Sequence, residues 1–550
     1  MKLRTSSSNW TVFWKDITRF WPVWVLYSVF LLLAMMVMYN NGDPYMTRNV
    51  VEFGFWMIVV NLIYAMVCAQ VLFGDLFNSR MCNALHALPL RRESWFGIHV
   101  LSGLCFSLIP NFVFTLLLIP GCEGAQWFLL AQSTLQFVFY FGTAVLCAML
   151  VGSRFAMVVV YGLINFGSLV VFWLLDTLYV PLLPGVILRD EIFQMLCPVV
   201  NFFVEPPMDS EFASPDVYIL THIADGWIYL AIVAAVGVVF GALALVLYRR
   251  RNLETAGDFI AVNWLKPVFL VSYTFVMTAL FQLVSQMFLN QGELIFMLLG
   301  VAVGYFTGQM FLMRTTKVFK KKPLIGFAVF TLAVLLSIGI TVLDPLGIGR
   351  WVPDSTEVES VYLEQYGTFG TFTDADKLEQ IEAFHSAVIH DYRGVKDGDD
   401  IRIGLSYTLK NGRNVQREYW VDDHSEAGEL LRPVISSPEF VLQGFEKDWK
   451  SMGYGFRIGY YSAGNDELIP RELYAEFMEC LIKDCEAGNL PQRWWEWNDA
   501  DIVFEMHMET QYSSYSYRYC NIEVTEKAEH TYKWLKQQEF YREYLKNRYK

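Results

Sequence analysis

Residues 72–96 read LFGDLFNSRMCNALHALPLRRESWF, a short polar-to-basic segment wedged between two runs long enough to cross a bilayer. Asp75 is placed to cap a helix whose apolar positions Leu76, Met81, Leu85 and Leu88 fall at roughly helical spacing, with Asn78, Arg80, Asn83 and His86 largely off that stripe. Pro89 ends the helix, and Arg91 and Arg92 hold the next membrane entry on the cytoplasmic side. A helix this short and polar does not span lipid. It is expected in the cytosol, as a coupling element met by another protein or as a surface loop joining two spans.

Working outward, the composition sets the class. Hydrophobic residues make up 54% of the 550 and aromatic residues 16%, too apolar for a soluble protein of several domains. The expected architecture is a polytopic α-helical membrane domain of about nine spans, N-terminus in and C-terminus out, followed by a soluble α+β domain. The spans fall at 21–39, 53–73, 96–119, 127–151, 155–180, 227–248, 267–289, 294–313 and 323–343, each about the length that a ~30 Å hydrocarbon layer requires. The first is too long for a signal-peptide core and lacks a small-x-small cleavage site, so it is expected to remain as an anchor. Before it, Trp10, Phe13, Trp14 and Ile17 recur at helical spacing with Lys15, Asp16 and Arg19 on other faces, an amphipathic helix over 1–20 suited to lie on the inner leaflet.

Charge supplies the orientation. Of the twenty Lys and Arg before Trp351, seventeen fall in segments that are cytosolic if the N-terminus is inside, and only Arg48, Arg189 and Arg350 fall outside. One missed or invented helix would scramble that alternation. From Trp351 onward the chain holds 22 basic and 37 acidic residues, against 20 and 18 before it, so the two halves are expected to face different solvents. Neither half carries a basic surface suited to nucleic acid.

Inside the membrane, Asp, Glu, Lys and Arg are missing from the middle of every span, Asp176 near an outer end coming closest, which disfavours proton- or sodium-coupled transport. Two polar stripes remain: Gln132, Gln136, Tyr140 and Thr143 in one span, and Thr278, Gln282, Ser285 and Gln286 in another. They are candidates to line a translocation path, and interhelical hydrogen bonds account for them equally well. Gly300, Gly304 and Gly308 form a Gly-x-x-x-Gly ridge, and Gly237 with Gly241 a shorter one, both suited to close helix packing. The outer loop 181–225 is acidic, carries Pro206-Pro207, and is expected to form partial helices, as a gate, vestibule or solvated connector.

A second cytosolic stretch, 248–266, reads YRRRNLETAGDFIAVNWLK, with three arginines at the membrane exit and Glu254, Gly257 and Asp258 close together. Together with the 10–19 helix and the Asn78-Ser79-Arg80 through His86-Ala87-Leu88-Pro89 and Arg91 segment, the run Arg251 to Asp258 resembles the permease subunits of ABC-2-type ABC transporters. More narrowly it is similar to a bacterial branch with a soluble C-terminal domain. The resemblance covers most of the chain, although the family core has six spans where this chain has nine.

The resemblance implies a multi-pass protein of the bacterial cell membrane in which two permease chains, as homo- or heterodimer, pair with two ABC ATPase subunits. ATP and Mg would sit on those partners, with no cofactor on this chain. Nucleotide-driven closure would rock the spans between inward-open and outward-open states, with membrane lipid as their surroundings. Asn78, Arg80, His86, Leu88, Pro89, Arg91, Glu254, Gly257 and Asp258 are then the expected ATPase-coupling residues, and Gln132, Gln136, Thr278, Gln282 and Gln286 the candidate path. The chain has no Gly-x-x-x-x-Gly-Lys-Ser/Thr loop to cradle phosphate, so energy must come from a separate polypeptide.

The tail, 351–550, is long enough to bury a core. Strands are expected at 358–363, 401–409, 415–421 and 456–461, with a hairpin turn at Asn411-Gly412 and a second hairpin from 502–509 and 515–524. Helices are expected at 374–392, 427–435, 471–486 and from about 527. Glu505, His507 and Glu509 alternate on one strand face and suit a metal no better than an ordinary exposed face. Trp494, Trp495 and Trp497 suit a core, a ligand or the outer leaflet, and Cys480, Cys485 and Cys520 lack metal-like spacing. No catalytic residue or metal site is assigned. The expected function is that of an exporter's permease subunit, the outer domain capturing, gating or sensing a substrate. The alternatives are a polytopic membrane enzyme such as a lipid-linked glycosyltransferase, with Asp43 the lone acid in its first outer loop, or a transporter-like sensor.

Overall fold

The computed structural model describes the chain apart from residues 1–7, 41–45, 87–90, 120–123, 205–207, 215–216, 223, 252–254, 289–292, 366–367, 391–400, 423–424, 436, 438–439, 441–455, 463–464, 488, 491–501, 514–515 and 549–550. Two compact units emerge: Met1–Leu178 with Leu188–Leu335, and Tyr179–Ile187 with Leu336–Lys550.

The first unit is helical. In order come α1 (Ser8–Arg19), α2 (Trp21–Asn40), α3 (Met46–Leu72), a 3-10 turn (Gly74–Phe77), α4 (Ser79–His86), α5 (Arg92–Leu118), α6 (Ala125–Leu150) and α7 (Arg154–Leu178). Two short helices, α8 (Glu191–Met195) and α9 (Pro198–Val204), and a hairpin of β1 (Met208–Ser214) with β2 (Val217–His222) precede α10 (Ala224–Arg250), α11 (Leu265–Phe288), α12 (Glu293–Met313) and α13 (Lys321–Leu343). Among the described residues nine helices are long and apolar enough to cross a membrane: α2, α3, α5, α6, α7, α10, α11, α12 and α13. The expected partial helices of the 181–225 loop are present, and the hairpin joins them as an element that its mixed composition did not announce.

α6 is the axis of this unit: 83% of its most apolar window is buried, against 6% for α13. Glycine lets α10 close on it, since a Cβ at Gly142 would lie 2.1 Å from the Gly237 carbonyl oxygen. Gly241, its expected partner in a ridge, faces open space. A single core runs through α2, α3, α5, α6, α7, α9 and α10 and ends at Phe269 on α11. The last three spans pack largely on one another. Gly300, Gly304 and Gly308 of α12 lie against Thr278, Thr274 and Leu270 of α11, and the Tyr305 hydroxyl fills the space over Gly326 of α13.

One local expectation is corrected. Asp75 does not cap α4: it is buried in the 3-10 turn, and Asn78 caps instead, its Oδ1 accepting the Arg80 N–H at 3.0 Å. α1 keeps its expected amphipathic form, with Asp16 alone of its charged residues buried. Asp16 is buried against α5, with its Oδ2 2.7 Å from His99 Nδ1 and accepting from Ser102 Oγ at 3.1 Å, while Trp10 and Trp14 point away from the protein. An interfacial helix has lipid as its apolar partner, so Trp10 and Trp14 turn outward.

The second unit opens where α13 stops. Asp344 adopts a left-handed φ of 43° and accepts the backbone N–H groups of Ile348, Gly349 and Arg350 on its carboxylate. There follow β3 (Val358–Gln365), β4 (Thr368–Phe372), α14 (Ala375–His390), β5 (Ile401–Leu409), β6 (Asn414–Val421) and α15 (Glu426–Ile435). Next are β7 (Phe456–Ser462), β8 (Asn465–Leu468), α16 (Tyr474–Glu486), β9 (Ile502–Ser513), β10 (Ser516–Thr525), α17 (Glu529–Gln537) and α18 (Glu539–Arg548). The sheets run β4-β3-β5-β6 and β8-β7-β9-β10, all antiparallel. Hairpin, helix, hairpin, helix therefore occurs twice in one topology, each copy with its own core. The α+β class holds with four hairpins in the place of two. The short β4 and β8 escape sequence reading because five and four residues carry little alternation.

Candidate functional site

The connections after the second, fourth, sixth and eighth candidate spans meet on one face of the helical unit, with Arg251 at their centre. The C-terminal turn of α6 leaves carbonyl groups without helical partners. Arg251, just past α10, fills that need: its guanidinium donates to the carbonyl oxygens of Ala148 at 2.6 Å and Met149 at 3.2 Å, and to Leu76 in the 3-10 turn at 3.2 Å. Arg92 in turn donates to the Arg251 carbonyl at 3.3 Å, and Arg249 pairs with Glu93 at 3.2 Å. Burial brings the Arg251 guanidinium down to about 10, with Cys82, the buried Asp75 and Tyr248 nearby working against that fall. At neutral pH it stays charged.

A second tie joins the fourth connection to the sixth. Gly152 N–H donates to the Asp258 carbonyl at 2.9 Å, Gly257 N–H to the Gly152 carbonyl at 2.7 Å, and Ala261 N–H to the Leu150 carbonyl at 3.0 Å, around an antiparallel bridge between Val151 and Ile260. Both glycines are required. A Cβ on Gly152 would sit 2.3 Å from the Thr255 carbonyl oxygen, and Gly257 has φ +93°. The eighth connection enters through Arg314, whose Nη1 lies 3.7 Å from the Asp258 carboxylate.

Of the residues singled out from the sequence, Asn78, Arg80, Arg91, Gly257 and Asp258 belong to these four connections. Arg80 and Arg91 are exposed; Gly257 and Asp258 are part of the backbone tie. His86 ends α4, although its side chain, like Leu88, Pro89 and Glu254 entirely, lies outside the described residues. Sequence reading missed Arg251 as a hub because three successive arginines read as one membrane anchor. It missed Gly152 because a lone glycine between two spans has no pattern. The Asp16, His99 and Ser102 cluster was hidden in the same way, its members 83 and 86 residues apart.

The two polar stripes face different neighbours. Gln132 Nε2 donates to the Gly54 carbonyl of α3 at 3.4 Å, and Gln136 Oε1 accepts from Asn61 Nδ2 of α3 at 3.2 Å. Thr278 bonds back to its own helix beneath α12, Gln282 and Ser285 are buried, and Gln286 is exposed.

In the second unit, His385 is fully buried between two tyrosines, Nε2 2.7 Å from the Tyr419 hydroxyl and Nδ1 2.9 Å from the Tyr407 hydroxyl. Burial, and secondarily the Arg417 charge, bring it down to about 3, so the ring is neutral, one nitrogen donating and the other accepting. The sheet's other face bears a recess of about 270 Å³. Gly404 lies between Glu364 on β3 and Glu418 on β6, and Arg402 holds Glu418 through two 2.8 Å bonds.

Trp494, Trp495 and Trp497 lie outside the described residues, as do the side chains of Glu505, His507, Glu509 and Cys520. Among the described residues, no group of three or more His, Cys, Asp or Glu is placed to hold a metal ion. No protein-family model matches this chain, and neither a curated protein nor a solved structure matches it.

Proposed function

We propose that this chain is the membrane subunit of an ABC-2-type exporter in a bacterial plasma membrane, powered by a separate ABC ATPase. The observation that carries the reading is the union of four same-side connections around Arg251 and Gly152. A surface built from the ends of α3, α6, α10 and α12 transmits a push on any one loop to several spans at once. Such a surface suits a motor. The shared core of the first six candidate spans supports the same reading, because a six-span core is what the family resemblance implies; α11–α13 are then an addition.

In this reading the Arg251 face is cytosolic, as the positive-inside rule requires of segments holding Arg80, Arg91, Arg314, Lys317 and Lys320 to Lys322. Arg80 and Arg91 stand ready to meet acidic groups on the ATPase. A second permease chain completes the transporter, and the sheet domain outside captures, gates or senses an exported substrate. ATP and Mg belong to the motor.

The test is to tag the chain, extract it gently from its native membrane and assay the purified material for ATP hydrolysis. A stoichiometric ATPase subunit with vanadate-sensitive hydrolysis is expected. Isolation of the chain alone, without hydrolysis, overturns the proposal.

A further inference from the structure

Among the buried polar atoms of the helical unit that have no hydrogen-bond partner among the described residues are Asn61 Oδ1 on α3, Gln136 Nε2 and Tyr140 Oη on α6, Asn165 Oδ1 on α7 and Asn201 Nδ2 on α9. Their residues are 0, 0, 0, 1 and 5% exposed. A buried polar group left unpaired costs about 1–3 kcal/mol, and native interiors rarely leave several together.

They form one belt. Asn61 Nδ2 donates to Gln136 Oε1 at 3.2 Å, and Tyr140 lies one turn further along α6. On α7 and the turn before α9, the Cys197 thiol donates to the Asn165 backbone carbonyl at 3.3 Å. Asn201 follows one turn on, its N–H bonded to the Cys197 carbonyl at 2.9 Å. Turning the amides over does not rescue them. In Asn61, Gln136 and Asn165 one end is already engaged, so a flip only exchanges which end is left over.

We propose that α3, α6, α7 and α9 enclose an internal hydration site, where ordered water bonds to Asn61, Gln136, Tyr140, Asn165 and Asn201. At the Asn61–Gln136 contact an unmet acceptor, Asn61 Oδ1, accompanies an unmet donor, Gln136 Nε2, so the occupant must both donate and accept. No Asp, Glu, Lys or Arg stands among these residues, so a dehydrated ion finds no counter-charge. Water meets both conditions and commonly makes about three bonds in such a site. This inference stands apart from the identity of the motor.

Two measurements on the full chain in lipid nanodiscs test it. A map that resolves solvent is expected to show water within about 2.7–3.0 Å of Tyr140 Oη, bridging it to at least one of the amides. Tyr140→Phe keeps the ring and removes the hydroxyl. If that hydroxyl is solvated, the thermal midpoint falls by about 1–2 °C; a dry orphan would leave it unchanged or raise it. Tyr161→Phe, which loses a direct 2.9 Å bond to the Leu62 carbonyl, calibrates the size of the drop. A map without water at Tyr140, or a Tyr140→Phe chain at least as stable as its parent, overturns the proposal.

Discussion

Arg251 and His385 illustrate opposite ways of placing an ionisable group in protein surroundings. Arg251 keeps its charge because three carbonyl oxygens and the nearby Asp75 replace the water it lost. Arg251→Met is expected to leave those carbonyls unmet and Asp75 uncompensated, lowering stability by roughly 2–4 kcal/mol, read as a fall in the thermal midpoint of the purified chain. Arg251→Lys keeps the charge without the planar fork, and an intermediate loss is expected. His385 gives its charge up. Its folded value of about 3 lies below the ordinary 6.5, so the neutral ring contributes stability that is complete above pH 6.5 and lost as pH falls from there towards 3. Hydrogen exchange of the β5 and β6 amides is expected to accelerate about tenfold per pH unit below 6.5, beyond the intrinsic pH effect. The His385→Gln chain is expected to lose that dependence.

At the scale of elements, glycine decides where helices and connections touch. Gly142→Val pushes α10 off the central helix and is expected to abolish folded, monodisperse protein on size-exclusion chromatography, because backbone stands 2.1 Å from the new Cβ. Gly152→Ala acts on the tie between the fourth and sixth connections, where Thr255 and Asp258 carbonyl oxygens would both be too close. Here the bundle itself is expected to persist. If the chain is a permease subunit, the variant assembles with its ATPase but loses substrate stimulation of hydrolysis by at least several-fold; full stimulation would argue against a coupling role for the tie. Gly237 was marked in the sequence as half of a Gly-x-x-x-Gly ridge, but its partner Gly142 lies 95 positions away and Gly152 carries no such signal.

At the scale of the molecule, parity constrains topology. Tyr179–Ile187, after the fifth candidate span, folds with Leu336–Lys550, after the ninth: Glu418 N–H donates to the Gly185 carbonyl at 3.0 Å, and Val186 bridges Arg417. Both must lie on the same side of the membrane, and the four spans between them, an even number, satisfy this. Cysteines introduced at Arg189 and Arg350 are therefore expected to react with a membrane-impermeant thiol reagent from one side of sealed cells, and one at Lys317 only after permeabilisation. Labelling of Arg189→Cys and Arg350→Cys from opposite sides would break the nine-span order.

Long apolar runs, the sorting of Lys and Arg, and alternation in the tail made the spans, their number and the α+β class legible in the sequence, because burial in lipid and in a sheet face each impose a local period. Asn78, Arg80, Gly257 and Asp258 were legible as neighbours of the membrane. What bound them to Arg251 and Gly152 was not. The meeting of four connections, the Asp16–His99–Ser102 cluster, the doubled hairpin-helix topology and the pairing of Asn61 with Gln136 depend on partners distant in the chain. Such pairings leave no periodic trace, since a buried donor and its acceptor need only approach within about 3 Å in space, whatever their separation in sequence.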